Sequence, residues 1–453
     1  MKVAVTGGSG QLGTLVLRNL GADRSVSEIV SIDLKPPRVA IKKLRAVSAD
    51  VRDPKIADHF QGCDALIHMA FVVTGPSGPE FNAINVGGSR NVFDAAISAG
   101  VKRIVYASSI AAYGVVPGHP VPIVETTPRV YQPAFAYSAT KFLVEEYLDE
   151  IEARAPDVAI VRLRPAILIG AHMEHALGDG LRRRVMVHLG GTTPMPIVWD
   201  EDVADAAVLA VKSDVRGAFN LAADEPLSVE DLAAAGGLRV IHPPPAVMSG
   251  ARRVLPWLSR LHIGRASDPA WLENLDVPMI ISSAKAREVL GWQPRCPTAV
   301  DVIRYYAETV PSRTDPRLLV FFRLLPFASS SRDLPADAKR MDAQLHLALT
   351  GPTGGDFDIE LRQGRLSVRP GVPRPPSASV SMKATVFLDL LSGRTDFATA
   401  QMTGKVRVEG EALATMIVRG LVTKFRQVAA EAGVRAWPAR RLSDWLSRQE
   451  AKA

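Results

Sequence analysis

Short apolar runs punctuate the first third of the chain, each separated from the next by enough residues for one helix. Val3-Ala4-Val5, Ile29 to Ile32, Leu44 to Val47, Ala65 to Met69, Ile104 to Ala107 and Val158 to Leu163 read as strands, their near-continuous apolar character suiting burial on both faces. Leu12, Val16 and Leu20 share one helical stripe, and helices are predicted over 81–99 and 135–153. This alternation predicts an α/β fold with a doubly wound parallel sheet of the Rossmann kind. A proline-bounded break, Val310-Pro311 to Asp315-Pro316, then interrupts the pattern. Leu318 to Phe327 is an apolar run broken by Arg323, too short to span a bilayer and suited to a helix packed on a domain. Alternating stretches follow at Ala343 to Leu349, Phe357 to Leu361, Arg365 to Arg369 and Ala378 to Met382. With turns at Thr353-Gly354-Gly355 and Gln363-Gly364, they predict an antiparallel meander. A helix over 384–392, a strand from Lys405 to Val408 and a helix over 411–432 complete a C-terminal α+β domain.

Composition adds limits. A chain of 453 residues exceeds one ordinary core, and 47% apolar with 22% charged residues is ordinary for globular domains. No window of eighteen apolar residues exists. The first strand begins after Met1-Lys2, which leaves no room for a signal peptide, and Cys63 and Cys296 are the only cysteines; a reducing cytoplasm is the expected location. The net charge of +7 comes from scattered arginines without interleaved aromatics, so no nucleic-acid partner is expected, while contact with anionic lipid stays open.

The candidate chemistry lies in three places. Thr6-Gly7-Gly8-Ser9-Gly10-Gln11-Leu12-Gly13 joins the first strand to the first helix. Gly7, Gly10 and Gly13 permit a tight turn and close approach to a pyrophosphate, and the helix start at Gln11 and Leu12 offers free N–H groups. Asp33, twenty residues past Gly13, is placed for an adenosine ribose and favours NAD, because a 2′-phosphate would meet a like charge. Topology puts Asp50-Val51 beside the adenine and Met69-Ala70 beside the pyrophosphate. Tyr137 and Lys141, four residues apart, share a helical face; a neighbouring cation would favour the phenolate of a residue that ordinarily titrates near 10. Lys141 can also reach the nicotinamide ribose, and Ser109 follows the fifth strand, where it can hold a substrate oxygen. His172-Met173-Glu174-His175 lacks an evident third ligand, so no metal is expected there.

Residues 1–310 resemble the extended short-chain dehydrogenase/reductase family, which includes NAD-dependent nucleotide-sugar epimerases, dehydratases and 3β-hydroxysteroid dehydrogenases. The likeness is carried by Thr6-Gly7-x-x-Gly10-x-x-Gly13, Asp33, Asp50-Val51, His68-Met69-Ala70, Asn85-Val86-x-Gly88, Ser109, Tyr137-x-x-x-Lys141 and Arg164-Pro165 before Gly170. Asp202-Val203-Ala204, Phe219-Asn220-Leu221, Ala284 to Arg287 and Leu290-Gly291-Trp292 extend it. The resemblance implies Ser109, Tyr137 and Lys141 as the catalytic set, Asn85 among the cofactor-binding residues, and a substrate part within 165–310. Ser109 is followed by Ile110-Ala111 instead of the acidic pair of dehydratases, which disfavours dehydration. Ala166-Ile167-Leu168-Ile169 stands where nucleotide-sugar enzymes tend to carry an asparagine, and an apolar wall suits a sterol-like or other lipid substrate better. Residues 251–265 read as an amphipathic helix over the cleft or as a membrane-touching lid.

Residues 335–436 resemble the sterol carrier protein type 2 family, through Ser381 to Thr385, Phe387 to Gly393 and Gly404 to Glu411. That likeness implies a lipid cavity, for which Phe387, Leu391, Phe397, Met402, Met416 and Ile417 are candidates. Residues 311–334 are then a linker with an apolar helix, and 437–453 a tail. The expected function is an NAD-dependent oxidoreductase of the hydroxysteroid dehydrogenase type, acting on a hydroxyl or keto group of a lipid and coupled to a lipid-binding domain. The alternatives are a nucleotide-sugar epimerase and a lipid-transfer protein that uses NAD structurally. Neither the oligomeric state, a homodimer included, nor the direction of reaction follows from the residues.

Overall fold

The computed structural model describes residues 1–73, 78–171, 176–188, 193–243, 274, 276–310, 314–328, 342–362, 365–372, 376–410, 413–430 and 437–448. The chain divides into two compact units, one of Met1–Pro36 with Lys43–Tyr306, the other of Pro37–Lys42 with Ala307–Ala453.

In the first unit the expected apolar runs are strands β1 (Lys2–Thr6), β2 (Glu28–Asp33), β3 (Leu44–Ser48), β4 (Ala65–His68), β5 (Arg103–Ala107) and β6 (Ala159–Pro165). Beyond β6 come β7 (Ile167–Ile169), β8 (Val185–Val187), β9 (Ile197–Trp199), β10 (Gly217–Leu221) and β11 (Arg239–Ile241). The main sheet runs β10-β6-β5-β4-β1-β2-β3, all parallel. Its direction of winding reverses between β1 and β4, and such a switch point opens a crevice at the carboxyl ends of those two strands. β10 contains Phe219-Asn220-Leu221, which the sequence pattern left without an element. Helices α1 (Gln11–Ala22), α2 (Gly88–Ser98), α3 (Ala136–Arg154), α4 (Asp200–Lys212) and α5 (Val229–Gly236) follow. Leu17 and Leu20 of α1 are fully buried with Val16, and Asn19 Nδ2 donates to Asp205 Oδ1 of α4 at 2.6 Å. The helix expected over 81–99 contains a π turn, Ala83–Gly87, just before α2. Two short parallel pairs, β7 with β9 and β8 with β11, build the substrate part. Residues 172–175 and 251–265 lie outside the described residues.

The second unit holds β12 (Ala343–Thr350), β13 (Gly355–Arg362), β14 (Arg365–Pro370), β15 (Ala378–Lys383) and β16 (Val406–Gly410), in the order β14-β13-β12-β15-β16. The expected meander holds for β12, β13 and β14 only, because β15 pairs parallel to β12. The chain leaving β14 passes Pro370, Pro373, Pro375 and Pro376, which cannot donate ladder hydrogen bonds, and no tight hairpin turn is available there. The strand therefore lands on the free edge of β12. Helices α6 (Pro316–Ala328), α7 (Ala384–Ser392), α8 (Phe397–Met402), α9 (Leu413–Ala430) and α10 (Trp437–Arg448) complete the unit.

Two helices flanking the sheet join its core. Leu318, Phe321 and Phe322 of α6 are buried with Leu347, Phe357, Phe387 and Phe425 in one cluster, and Ala439 and Leu442 of α10 belong to it. The stretches expected as a linker with an apolar helix, 311–334, and as a tail, 437–453, thus each supply a helix to this unit. Phe321 sits 5.0 Å from Phe322, 5.5 Å from Phe387 and 5.2 Å from Phe425, ring centre to ring centre. Phe321→Ala should destabilise the second unit by about 3–5 kcal/mol in denaturant unfolding, the cost of emptying a buried aromatic site. A loss near zero would return the helix to the status of a linker.

Candidate active site

At the switch point the turn after β1 is packed so tightly that side chains are excluded. Gly7 has φ +77°, and a Cβ there would lie 2.5 Å from the Ala70 nitrogen and 2.7 Å from the Met69 carbonyl carbon. A Cβ on Gly13 would meet Gly7 O at 2.2 Å, so the first turn of α1 lies directly against the loop. Gly10 is less crowded, with a nearest contact of 3.1 Å to Gly7 O. Met69 N donates to Thr6 O and Gly7 N to Ile32 O, both at 3.0 Å, which locks the loop between the ends of β4 and β2. The cap of α1, Gly10, supplies no side-chain acceptor, so the N–H groups of Gln11 and Leu12 at the helix start find no partner from a capping side chain.

Asp33, at the end of β2, accepts from Ser9 N at 3.0 Å and Lys35 N at 3.1 Å, one bond to each carboxylate oxygen. Each oxygen keeps a lone pair for a further donor. Cradle, helix start and acid therefore fit a dinucleotide: bare backbone for the pyrophosphate and an acceptor for ribose hydroxyls.

Other expected cofactor residues have local work. Both oxygens of Asp50 bond Arg52, whose guanidinium holds that carboxyl below the usual range, so this carboxylate is already committed. Val51 packs on α2, where a Cβ on Gly88 would meet its methyl at 2.5 Å. Asn85, fully buried in the π turn, spends its amide on the backbone of Val72, accepting from Val72 N at 2.8 Å and donating to Val72 O at 3.0 Å. Those two bonds shape the loop after β4. His68 pins the same strand end, with Thr6 Oγ1 on Nδ1 at 2.6 Å and Ser89 Oγ on Nε2 at 2.9 Å. Burial, helped by Lys141, pushes this imidazole down to about 3, so it stays neutral.

The structure brings Ser109, Tyr137 and Lys141 together. Tyr137 and Lys141 occupy the first two turns of α3, and Ser109 caps a short 3₁₀ turn, Ile110–Tyr113, its Oγ accepting from Ala111 N at 3.2 Å. The Tyr137 phenol is hydrogen-bonded to Ser109; burial raises it above the ordinary tyrosine value and that bond only partly offsets the rise. Lys141 Nζ donates to Ala107 O at 2.7 Å and Tyr106 Oη at 3.1 Å, and lies 3.6 Å from the centre of the Phe71 ring. Burial pushes Lys141 down to about 7, with Glu145 resisting. The expected tuning of Tyr137 by a full lysine charge is therefore not what this arrangement supplies. Desolvation outweighs it.

Glu145, one turn beyond Lys141, escaped the motif reading. Its buried carboxylate accepts from Ser108 Oγ at 2.6 Å, Arg164 Nε at 2.9 Å and Arg129 Nη1 at 3.1 Å. Burial would raise this carboxyl, but Arg164, with Ser108, outweighs it and holds the group below the usual carboxylate range. Its helical spacing from Tyr137 and Lys141 was the available sign. Arg164 also stacks 4.5 Å from the Tyr113 ring, and Tyr113 Oη donates to Asn220 Oδ1 at 2.8 Å. Gly170, at the end of the same family segment, is required by packing: a Cβ would fall 1.7 Å from Asp200 Oδ2.

In the second unit Phe387, Leu391 and Phe397 are buried and Ile417 packs on the same cluster, yet Met402 is 89% and Met416 68% exposed. Phe397 and Ala400 take the inner face of α8, and Val418, Leu421, Val422 and Phe425 that of α9, which turns both methionines outward. They do not line an interior. Phe387 also faces Phe322, stacked 5.9 Å away.

Comparisons with known proteins agree with this division. Residues 3–222 match the model of the NAD dependent epimerase/dehydratase family, and residues 322–423 that of the SCP-2 sterol transfer family. An uncharacterized protein of Sinorhizobium fredii is 30% identical over 229 residues, which cover 49% of this chain and 56% of that protein. The chain thus spans little more than half the length of that relative. A UDP-glucose 4-epimerase of Lacticaseibacillus casei is 26% identical, over 65% of this chain and 92% of its own. Among solved structures, the Bifidobacterium longum UDP-glucose 4-epimerase in complex with NAD+ and UDP shares the fold at 18% identity, with a TM-score of 0.52 over 68% of this chain and 98% of that one. Residues 3–222 therefore form an NAD dependent epimerase/dehydratase domain, with NAD as its cofactor, and residues 322–423 an SCP-2 sterol transfer domain.

Proposed function

We propose that the chain oxidises or reduces a hydroxyl or keto group on a sterol-like or other lipid substrate, with the C-terminal unit binding lipid. The observation that carries this reading is the SCP-2 sterol transfer domain on the same chain as the dehydrogenase site. The apolar run Ala166 to Ile169, where Ala166 and Ile169 are buried and the segment forms β7, supports it.

Gly7, Gly13, the start of α1 and Asp33 would hold NAD, and bound NAD supplies hydride-transfer chemistry at the substrate carbon. The protein's own groups handle the oxygen. Ser109 and Tyr137, already hydrogen-bonded to each other, converge on one acceptor position. Ser109 orients the substrate oxygen. Tyr137 gives that oxygen a proton when a keto group is reduced, or takes one when a hydroxyl is oxidised. Lys141, tied to Ala107 O and Tyr106, holds the end of β5 against α3. Ser108, buried on Glu145, fixes the residue next to Ser109.

A second reading, a nucleotide-sugar epimerase with the same three residues, is favoured by curated relatives named UDP-glucose 4-epimerase at 26% identity. Mass spectrometry of small molecules carried through native purification of the full chain separates the two. A co-purified sterol or other lipid is the expected result. A nucleotide sugar would transfer the assignment to the second reading.

Tyr137→Phe keeps the ring and removes the acid. Turnover should fall by about 10²-fold or more, with NAD affinity little changed. Since burial raises the phenol, its neutral form persists through neutral pH in the cofactor-free protein. A pH-difference absorbance titration of wild type against this variant should show the missing tyrosine ionising above about pH 10. Ionisation near neutrality, or turnover close to wild type, would remove Tyr137 from the acid/base role.

A further inference from the structure

Away from the dehydrogenase residues, the substrate part gathers two imidazoles and a carboxylate. β8 and β11 pair parallel in the register Val185 with Arg239, Met186 with Val240 and Val187 with Ile241, and His188 N continues the ladder by donating to Ile241 O at 2.9 Å. His188 and His242 are therefore the next facing positions, and their rings lie 5.2 Å apart. Glu230 comes from the first turn of α5, fixed by the Ser228 cap, whose Oγ accepts from Asp231 N at 3.1 Å. The turn joining α5 to β11 is closed by Leu238 N donating to Ala233 O at 2.8 Å, and Arg239 N donates to Arg184 O at 3.0 Å ahead of β8. Glu230 and His188 thus stand on hydrogen-bonded backbone, and His242 directly follows β11.

One donor atom from each of the three residues lies within 4.8 Å of the others, and among the described residues this is the one such grouping of three. Three donors bound tetrahedrally at zinc distances stand about 3.4 Å apart. His188 Nε2 and Glu230 Oε1 are already 3.3 Å apart. The remaining edges are at most 4.8 Å, with Glu230 and His242 exposed and His188 half-buried. Two imidazole nitrogens and one carboxylate oxygen form a donor set suited to zinc and its transition-metal neighbours, and poorly suited to magnesium or calcium.

The geometry points to a divalent transition-metal site at His188, Glu230 and His242, with zinc its best-suited occupant and a fourth position left for water or another ligand. The metal cross-links β8, β11 and α5 at one edge of the substrate part. Sequence spacing hid the site, since the ligands are separated by 42 and 12 residues and meet only through the β8–β11 pairing.

The test is calorimetric titration of the full-length protein, stripped by a chelator, with Zn2+ in a non-coordinating buffer. One ion per chain should bind, and His188→Ala or His242→Ala should each weaken binding by more than about 100-fold, beyond the roughly 10–100-fold typical for loss of an outer-shell partner. Glu230→Gln, which keeps size and fold, should weaken it as well. NAD binding should persist in each variant as the check on folding. Zn2+ should raise the thermal midpoint of wild type and leave that of the His188→Ala/His242→Ala double variant unmoved. Absence of stoichiometric binding by wild type would overturn the site. So would a double variant that binds as tightly as wild type, because the ion would then sit elsewhere.

Discussion

Everything in the N-terminal unit is built outward from a place where no Cβ can fit. Gly7 lies against the Met69–Ala70 backbone and Gly13 against Gly7 O, so β1, β4 and α1 meet at backbone distance. A side chain at Gly13 would push α1 away and carry its free N–H groups from the crevice. Asp33 then closes the loop from the β2 side through Ser9 N. The same packing that makes this corner compact leaves bare backbone where a pyrophosphate needs it.

A second constraint lies beneath the chemistry. Glu145 is a buried carboxylate that satisfies Ser108, Arg164 and Arg129 at once, joining the β5 exit, α3 and β6. Breaking such a group from one side strands the remaining charge, typically at a cost of about 3–5 kcal/mol. Its value lies in position: Ser109 is one residue from Ser108, and Lys141 is one helical turn from Glu145. Desolvation also pushes both groups of the site toward their neutral forms, raising the Tyr137 phenol and lowering Lys141 to about 7.

Much of this was legible in the residues. Continuous apolar runs revealed the parallel sheet because both faces of each strand are covered, and the glycine spacing after β1 located the crevice. Strand ends and helical faces put Ser109, Tyr137 and Lys141 within reach of one another, and the structure brings the three together. What escaped depends on pairing across long separations. β10 is a five-residue strand whose partner lies more than fifty residues away, and β15 joins β12 in parallel across more than thirty residues. Asp50 sits where topology put it and Asn85 where the family likeness did, and the structure bonds them to Arg52 and Val72. Met402 and Met416 were chosen for residue type, and helix phase turned them outward.

No described helix is long and apolar enough to cross a membrane. On the proposed reading, a lipid-binding unit on the same chain would raise the local concentration of loaded carrier, which tethering by a short flexible connection brings to roughly millimolar. Oxidising a lipid alcohol leaves one reduced cofactor for each product, whereas epimerisation returns the cofactor to its starting state. The decisive measurement is the nicotinamide absorbance of the full-length protein with NAD and vesicles containing a sterol alcohol, beside a parallel sample with UDP-glucose. Reduced cofactor accumulating stoichiometrically with a sterol ketone is the expected result. A 4-epimer formed from UDP-glucose without net reduction, and no reduction with the sterol, would contradict it.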